Sequence, residues 1–333
     1  MPSRNGAEVP MVSIGNVKIE TPLTLGPMAG VTDLAFRTIC HEQGAGLTCT
    51  EMVSAKALCY QDKKTTPLLR LGEGEHPAAA QIFGSDPAVM EQAAGLAREI
   101  SGADIIDINM GCPVPKVANS GDGCGLMRTP ELAVRVTEAV VRGAGCPVTV
   151  KFRLGWDRDS INCVEFARAM EEAGAAAVAV HGRTRAQMYA GAADWDYIRA
   201  VKEAVSVPVF ANGDIFRGED VPRILRCTGA DLAMVGRGAL GNPWIFAQGR
   251  AALAGEPIPP MPPLEQRCDA AERQFDLAAA VKGERVACLE ARRQFAWYLK
   301  GVPHASRWRE RISKITTLAD LRGITAEVRR ELC

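Results

Sequence analysis

The sequence predicts an α/β fold, a (β/α)8 TIM barrel with a small C-terminal all-helical domain. Three observations support this prediction. Eight short apolar runs recur along the chain, amphipathic segments separate them, and after a proline-rich stretch only helix-like patterning remains. The runs are residues 23–28, 47–52, 78–83, 104–110, 148–152, 176–181, 209–211 and 231–235.

Most of these runs are continuously apolar rather than alternating, which is typical of parallel strands buried on both faces. Eight strand–helix units within residues 1–250 match a (β/α)8 barrel. A doubly wound sheet is the structural competitor, but it usually needs fewer strands and often carries a glycine-rich first turn. The first turn here reads GPMAGVTD, without a GxGxxG pattern, and this favours the barrel.

The segments between several runs have helical periodicity and are rich in alanine, glutamate and arginine. A glycine or proline follows each of them, so helix, turn and strand alternate as in an α/β protein. The predicted helices are residues 87–100, 130–142, 162–173 and 196–204.

The domain organisation follows from a change of sequence pattern near residue 250, where strand-like runs end and a proline-rich stretch begins. Residues 1–250 form the predicted catalytic barrel. Residues 251–263 are too rich in proline for a regular helix or strand interior and are predicted to be a stiff linker. Residues 264–333 are predicted to form the helical domain.

The composition excludes several classes of protein. The 39 basic residues balance the 39 acidic ones, so net charge gives no sign of nucleic-acid binding. The N-terminus lacks a signal-peptide pattern, and no uncharged apolar run approaches the length of a membrane span, so we expect a cytoplasmic protein. The eleven cysteines include no CxxC pair, and neither a metal site nor a disulfide framework is predicted.

Function in such barrels gathers at the carboxyl ends of the strands. Polar groups lie at nearly every predicted strand end, and this coincidence predicts one site on one rim. The last two ends, NGDI and VGRGALGNP, lie where barrels often bind phosphate. Glycine lets backbone N–H groups approach an anion, and Arg237 supplies positive charge. Two ordinary glycine-rich loops are the alternative.

Three side chains within the predicted barrel mouth suit a flat heterocycle. Gln81 can hold the edge of such a ring, and Lys151 can stabilise negative charge on its reduced form. His181 can bind phosphate or substrate, and a satisfied core histidine is its alternative.

Cys112 lies between Gly111 and Pro113, where the fourth run ends. Its thiol is a candidate nucleophile or general acid, and a structural thiol is the alternative. No base is placed beside it by sequence, so a hydrolase-type Cys/His pair is not predicted. A proton donor needs only reach and a suitable pKa.

The tail has a local charge asymmetry. Eight basic residues lie between residues 285 and 314, with Glu290 and Glu310 as the acidic residues among them, and Trp297, Tyr298 and Trp308 are interleaved. Basic residues can neutralise phosphates and aromatic rings can stack on bases. The alternative is a bundle whose aromatic residues form its core and whose arginines are solvated.

Six motifs together resemble the flavin-dependent tRNA-dihydrouridine synthases, most closely their bacterial B-type branch. They are GPMAGVTD, DINMGCP, VKFRLGW, VHGRTR, ANGDI and VGRGALGNPWIF, in order from residue 26 to residue 246. The resemblance implies a barrel that holds FMN, a helical domain that helps to bind tRNA, and NADPH (or NADH) as reductant. Hydride would pass from flavin N5 to uracil C6, and Cys112 would protonate C5.

The same resemblance implies roles for the strand-end residues. Those implied to contact FMN are Pro27, Met28, Ala29, Gln81, Lys151, His181, Asn212, Gly213, Asp214, Gly236 and Arg237. Asn109 and Arg183 are implied to lie near the target uridine. We expect a monomer that binds neither membrane nor metal.

Two places depart from the pattern of the family. The loop VPKVANSGDGCGLMRTP has Asp122 and Cys124 where small apolar residues are usual. Gln294 stands where a basic residue or histidine is expected. Two rival functions stay open: an FMN barrel acting on a small molecule, such as dihydroorotate oxidation or ene reduction, and a non-catalytic RNA-binding protein.

Overall fold

A computed structural model describes residues 11–63 and 65–333 of the chain. Its strands are β1 Val12–Ile14, β2 Val17–Ile19, β3 Leu23–Leu25, β4 Thr48–Cys49, β5 Val53–Ser54, β6 Ala78–Phe83, β7 Ile105–Met110, β8 Val148–Arg153, β9 Ala177–His181, β10 Val209–Asn212 and β11 Leu232–Val235. Its helices are α1 Leu34–Glu42, α2 Ala55–Cys59, α3 Pro87–Ser101, α4 Pro115–Ala118, α5 Pro130–Ala144, α6 Cys163–Glu172, α7 Trp195–Ala204, α8 Asp220–Thr228, α9 Ile245–Ala254, α10 Leu264–Lys282, α11 Glu284–Tyr298, α12 Ala305–Ile312 and α13 Leu318–Leu332.

The predicted (β/α)8 barrel is confirmed. Parallel strands follow one another in the order β3-β11-β10-β9-β8-β7-β6-β4, and a bridge between Thr24 and Leu47 closes the ring. β6 to β11 coincide with predicted runs. In the second predicted run only β4 forms, and β5 follows directly after the run; both strands pair with β6.

The helices around the barrel begin and end at the predicted signals. Asp86 caps α3 with its carboxylate, Pro87 occupies the first turn, and Gly102 ends the helix in a left-handed conformation. α5 likewise begins at Pro130 and ends at Gly145.

The hairpin formed by β1 and β2 was not predicted from the sequence. Ile14 and Ile19 are fully buried and pack against the first residues of barrel strands, among them Ile105, Ala177 and Leu232. The hairpin therefore closes the amino-terminal end of the barrel. The opposite, carboxyl-terminal end remains available for a site.

The four C-terminal helices, α10 to α13, enclose a separate hydrophobic core that contains Phe275, Phe295 and Trp308. They dock onto α1 through small buried residues, Ala35 against Ala278 and Ala287. An ion pair of 2.7 Å between Lys282 Nζ and Asp33 Oδ2 joins the same surfaces. These contacts hold the helical region beside the mouth of the barrel.

Candidate active site

A cavity of about 470 Å³ opens at the carboxyl ends of the barrel strands. It is lined by thirteen of the fourteen residues predicted for the site: Pro27, Met28, Ala29, Gln81, Asn109, Cys112, Lys151, His181, Asn212, Gly213, Asp214, Gly236 and Arg237. Arg183 is the exception and lies behind this wall. The strand ends therefore converge on one rim, as the sequence predicted.

A chain of amide groups fixes the loop that carries Cys112. Gln81 Oε1 accepts a hydrogen bond of 2.8 Å from Asn109 Nδ2. Asn109 Oδ1 in turn accepts from the backbone N–H groups of Gly111 and Cys112, at 3.1 and 2.8 Å. The sharp turn after β7 is thus held by the last polar side chain of that strand.

The Cys112 side chain reaches the cavity while it is largely buried. Burial raises the pKa of the Cys112 thiol, although Arg153 and Lys151 partly oppose this effect. The thiol is therefore protonated near neutral pH. It suits proton donation better than nucleophilic attack, which requires a thiolate.

Lys151 projects from β8 toward the cavity, and its Nζ donates to Asn212 Oδ1 at 3.2 Å. Burial, reinforced by repulsion from Arg153, lowers the pKa of Lys151 to about 8. The ammonium group is mostly charged at pH 7. It can therefore stabilise negative charge on a bound ring.

A cluster of charged groups lies at the ends of β9, β10 and β11. Arg183 Nη2 contacts both carboxylate oxygens of Asp214 at 2.8 Å, and Arg237 contacts the same carboxylate at 3.4 Å. Ala193 N–H also donates to Asp214 at 2.7 Å. The Asp214 side chain is therefore committed to orienting two arginines, which leaves Arg237 with half-exposed donors for an anion.

His181 lies beside this cluster, and its Nε2 is 3.4 Å from Arg183 Nη1. Burial, together with neighbouring cations of which Arg153 is the strongest, lowers the pKa of His181 well below its usual range. The neutral ring can donate or accept one hydrogen bond in the cavity.

Gly213 permits the close approach of backbone around the cavity. Its φ of 129° is one that glycine adopts readily. A Cβ at this position would lie 2.7 Å from Ala193 Cβ and 3.3 Å from His181 Cδ2. A larger residue would therefore clash with Ala193 and crowd the histidine.

Comparison with known proteins decides the family. A family model described as dihydrouridine synthase matches residues 24–331. The tRNA-dihydrouridine synthase B of Pseudomonas aeruginosa is 42% identical over 307 residues, 92% of each chain. That of Pasteurella multocida is 40% identical over 305 residues, 91% of each.

The chain belongs to the dihydrouridine synthase family. The predicted resemblance is thereby confirmed, including its B-type branch. A solved structure of 6-hydroxypseudooxynicotine amine oxidase from Pseudomonas geniculata N1 is similar with a TM-score of 0.57 at 19% identity. That likeness covers 74% of this chain and 49% of the other, so the chain spans about half the length of that protein, and it concerns the fold alone.

The rim of the cavity carries aromatic residues that the sequence analysis missed. Tyr189 and Phe216 are exposed, and the Arg237 guanidinium lies 4.8 and 5.5 Å from their ring centres. These contacts hold Arg237 in place over the cavity. Tyr189 follows the HGRTR motif by four residues in a segment without strand or helix pattern, so no periodicity drew attention to it.

The helical region completes the wall, because Arg293 and Trp297 line the cavity. Gln294 Nε2 and Arg293 Nη2 both donate to Gly30 O, at 2.9 and 2.7 Å. Gly30 N–H donates to Glu51. Gln294, a departure from the family pattern, therefore holds the turn that follows Ala29.

A second amide chain orients Gln294 from within the helical region. Tyr298 OH donates to Gln274 Oε1 at 2.7 Å, and Gln274 Nε2 donates to Gln294 Oε1 at 2.7 Å. All three side chains are buried. Because Gly30 O can only accept, Gln294 must present its N–H to it, and its Oε1 then accepts from Gln274.

The basic tail resembles the alternative given above, a helical bundle with an aromatic core, more closely than the sequence indicated. Tyr298 and Trp308 are buried in the core of the helices, as the bundle alternative states, and are not available to stack on bases. Trp297 alone of the three reaches the cavity. In addition, Arg307 and Arg311 pair with Glu327 and Glu331 of α13, which lie outside the basic segment.

Several tail cations nevertheless have no carboxylate partner among residues 11–63 and 65–333. They are Arg285, Arg292, Arg293, Lys300 and Arg309. Arg292 and Arg309 donate to backbone carbonyls instead. The positive charge of the tail is therefore reduced but not abolished.

The unusual loop after Cys112 packs inward. Cys124 is fully buried, its N–H donates to Cys112 O at 3.2 Å, and burial raises its pKa to about 12. Asp122 is half-buried and accepts from Ser120 at 3.3 Å. Cys124 thus supports the Cys112 turn from below.

Neither a metal cluster nor a membrane span accompanies the site in the described part of the chain. Within it, no group of three or more histidine, cysteine, aspartate or glutamate side chains is arranged to hold a metal ion. None of the helices built there is long and apolar enough to cross a bilayer.

Proposed function

We propose that this protein reduces the C5–C6 double bond of a uridine in tRNA to 5,6-dihydrouridine, with FMN as cofactor and NADPH or NADH as reductant. The observation that carries the proposal is the Cys112 thiol, kept protonated by burial and held by Asn109 at the wall of the cavity. Membership of the family and the names of the relatives support the same reaction.

The residues present fit FMN. A cavity of about 470 Å³ is in the usual range for cofactor sites. Gly236 provides a cradle, because a Cβ there would lie 3.9 Å from Met28 Sδ and narrow the gap between the first and last strand ends. Gln81, Asn109 and Lys151 offer polar contacts to a ring, and Arg237 offers charge to a phosphate.

When bound, FMN supplies the hydride that reaches C6 of the uracil. Lys151 and Gln81 would hold the ring, Pro27, Met28 and Ala29 would pack against it, and the ends of β9 to β11 would hold the ribityl phosphate. The last group is His181, Asn212, Gly213, Asp214, Gly236 and Arg237, with Asp214 acting through its backbone and through the arginines it orients.

Cys112 gives its proton to C5 and thereby neutralises the negative charge that hydride addition leaves on the base. Asn109 orients the Cys112 turn and can contact the base edge. Arg183, buried behind the cavity wall, supports this pocket through Asp214 rather than by touching the uridine.

A uridine inside folded tRNA cannot reach this cavity while it is stacked, so it must be flipped out. The unstacking cost of a few kcal/mol must be offset by contacts elsewhere on the tRNA. Arg293 and Trp297 at the rim, with the unpaired tail cations around them, are placed to supply these contacts.

The test combines an absorption spectrum with turnover. Purified protein should be yellow, should bleach with anaerobic NADPH, and should reoxidise on addition of tRNA that lacks dihydrouridine. Bleaching without reoxidation by tRNA would favour a small-molecule acceptor. A colourless protein that cannot be reconstituted with FMN would contradict the proposal altogether.

The Cys112→Ala variant should retain FMN and bleach normally, yet form dihydrouridine about 10²–10⁴ times more slowly, the usual contribution of a general acid. Cys227→Ala is the matched control, because Cys227 is exposed on α8 away from the cavity. Dihydrouridine in tRNA is measured by mass spectrometry. Full activity of Cys112→Ala would exclude the proposed proton donor.

A further inference from the structure

A polar layer crosses the interior of the barrel below the cavity. Gln81, Asp107 and Thr149 are neighbours in register on β6, β7 and β8. All three are buried, with Asp107 only 5% exposed. Burying a carboxylate in a barrel core costs free energy, so its presence there indicates a role. The mechanism above does not use Asp107.

Both carboxylate oxygens of Asp107 act as acceptors. Oδ2 accepts from Gln81 Nε2 at 2.6 Å, and Oδ1 accepts from Thr149 Oγ1 at 2.5 Å. An ionised carboxylate has no proton to donate. Gln81 must therefore turn its N–H toward Asp107 and its Oε1 toward the other side.

The orientation of the Gln81 amide determines that of Asn109, and through it the hydrogen bonds of the Cys112 turn. Because Gln81 Oε1 faces Asn109, Asn109 must turn Nδ2 toward it. Asn109 Oδ1 is then directed at the N–H groups of Gly111 and Cys112. With the opposite direction, Asn109 would present N–H groups to N–H groups, and the turn would lose both of its hydrogen bonds.

We propose that Asp107 is a positioning residue, whose negative charge sets the direction of the hydrogen-bond chain Asp107–Gln81–Asn109 and thereby fixes the turn that carries Cys112. Its importance for catalysis rests on the proposed function. Its effect on the turn does not, because that effect concerns only hydrogen bonds within the chain.

Protonation of Asp107 removes the constraint. The neutral acid can donate to Gln81 Oε1 as well as accept from Gln81 Nε2, so only the turn N–H groups then hold the two amides in their present direction. Burial raises the pKa of Asp107 to about 6, against the opposing effects of Gln81, Thr149 and Lys151. Two titratable groups face it, Lys151 from β8 and the Cys49 thiol from β4. The turn should therefore loosen as the pH falls below about 6.

The test is amide hydrogen exchange at Gly111 and Cys112, resolved to single residues between pH 5 and 8 and corrected for the intrinsic rate. In the wild-type protein, protection should fall about tenfold from pH 7 to pH 5, the equivalent of one lost hydrogen bond. Asp107→Asn should show the lower protection at every pH. Asp122→Asn, in the neighbouring loop and outside the chain of amides, should retain the wild-type profile.

A rescue variant separates a directional role from a merely structural one. In Asp107→Asn/Asn109→Asp the charge moves to the other end of the chain. The carboxylate introduced at position 109 would accept from both turn N–H groups and from Gln81 Nε2, while the amide introduced at position 107 would donate to Gln81 Oε1. Protection should return to within about twofold of the wild-type value at pH 7, which a general packing defect would not allow.

Two results would overturn the proposal: unchanged protection in folded Asp107→Asn, or no recovery in the double variant. If the single variant does not fold, the double variant and the wild-type pH profile still decide the matter. These measurements need neither FMN nor tRNA. A failure of the proposed reaction would therefore appear separately, as absent dihydrouridine formation with an intact exchange profile.

Discussion

Replacing Asp107 by asparagine should make the folded protein more stable at neutral pH, although it loosens the Cys112 turn. The pKa of this carboxyl rises from 3.8 to about 6 on folding, because the side chain is buried. One pKa unit corresponds to about 1.4 kcal/mol. The ionised group therefore costs the folded state about 3 kcal/mol, and an isosteric neutral amide avoids this cost.

The pH dependence gives the sign of the effect. At about pH 3 the carboxyl is protonated in both states, so its burial costs little. Between about pH 4 and pH 6 the unfolded chain ionises first, and the free energy of unfolding falls as the pH rises. The cost is complete above about pH 7, and the advantage of Asp107→Asn should therefore appear mainly above about pH 6.

The assay is urea unfolding of both proteins, at pH 4.5 and at pH 8, followed by circular dichroism. The difference in the free energy of unfolding should be about 1 kcal/mol or less at pH 4.5 and about 2–3 kcal/mol in favour of Asp107→Asn at pH 8. Asp104→Asn, at the half-exposed start of the same strand segment, should bring no gain, because it weakens the contact with Ala78 N–H. A variant that is less stable at pH 8, or a difference that does not change with pH, would refute the reasoning.

Two further predictions concern Lys151 and Gln294. The rate of tRNA reduction should fall as the pH rises through about 8, because Lys151 loses its proton there. Lys151→Arg should move this fall to higher pH. An unchanged pH profile in that variant would exclude Lys151 as the cause of the fall. Gln294→Leu should lower the free energy of unfolding in urea by about 2 kcal/mol, because the bond to Gly30 O is lost and a buried amide is left unpaired. Arg293→Met, which removes an exposed bond to the same carbonyl, should cost less than about 1 kcal/mol, and equal costs would argue against the buried amide chain.

The barrel could be predicted because its strands are buried on both faces and therefore appear as apolar runs. The hairpin of β1 and β2 could not, since its three-residue strands are too short for any period to show. The shortening of the predicted strand at residues 47–52 to β4, with β5 after it, was hidden for a similar reason. Both short strands pair with β6, and this pairing depends on tertiary contacts rather than on local pattern.

The site could be predicted to the extent that it lies at strand ends, where barrel geometry brings distant residues together. Arg293 and Trp297 reach the cavity only because the helical region docks beside Gly30, and nothing local to the sequence indicates that docking. The aromatic residues of the tail show the same limit. Tyr298 and Trp308 are core residues of the bundle, while Trp297 lines the cavity, and a count of aromatic residues does not separate the two cases.

Asp107 is the most informative residue that the pattern concealed, because it lies inside an apolar run and resembles an ordinary strand residue. Its role depends on the register that sets it between Gln81 and Thr149. Two chains of buried amides then hold two turns at the cavity, one from Asp107 to Cys112 and one from Tyr298 to Gly30. Apolar packing alone leaves a turn free to shift by fractions of an ångström, whereas a directed hydrogen-bond chain specifies one arrangement of its atoms. Proton transfer from a thiol and hydride delivery at adjacent carbons require such fixed positions. The stability lost at Asp107 is therefore consistent with the precision that the reaction needs.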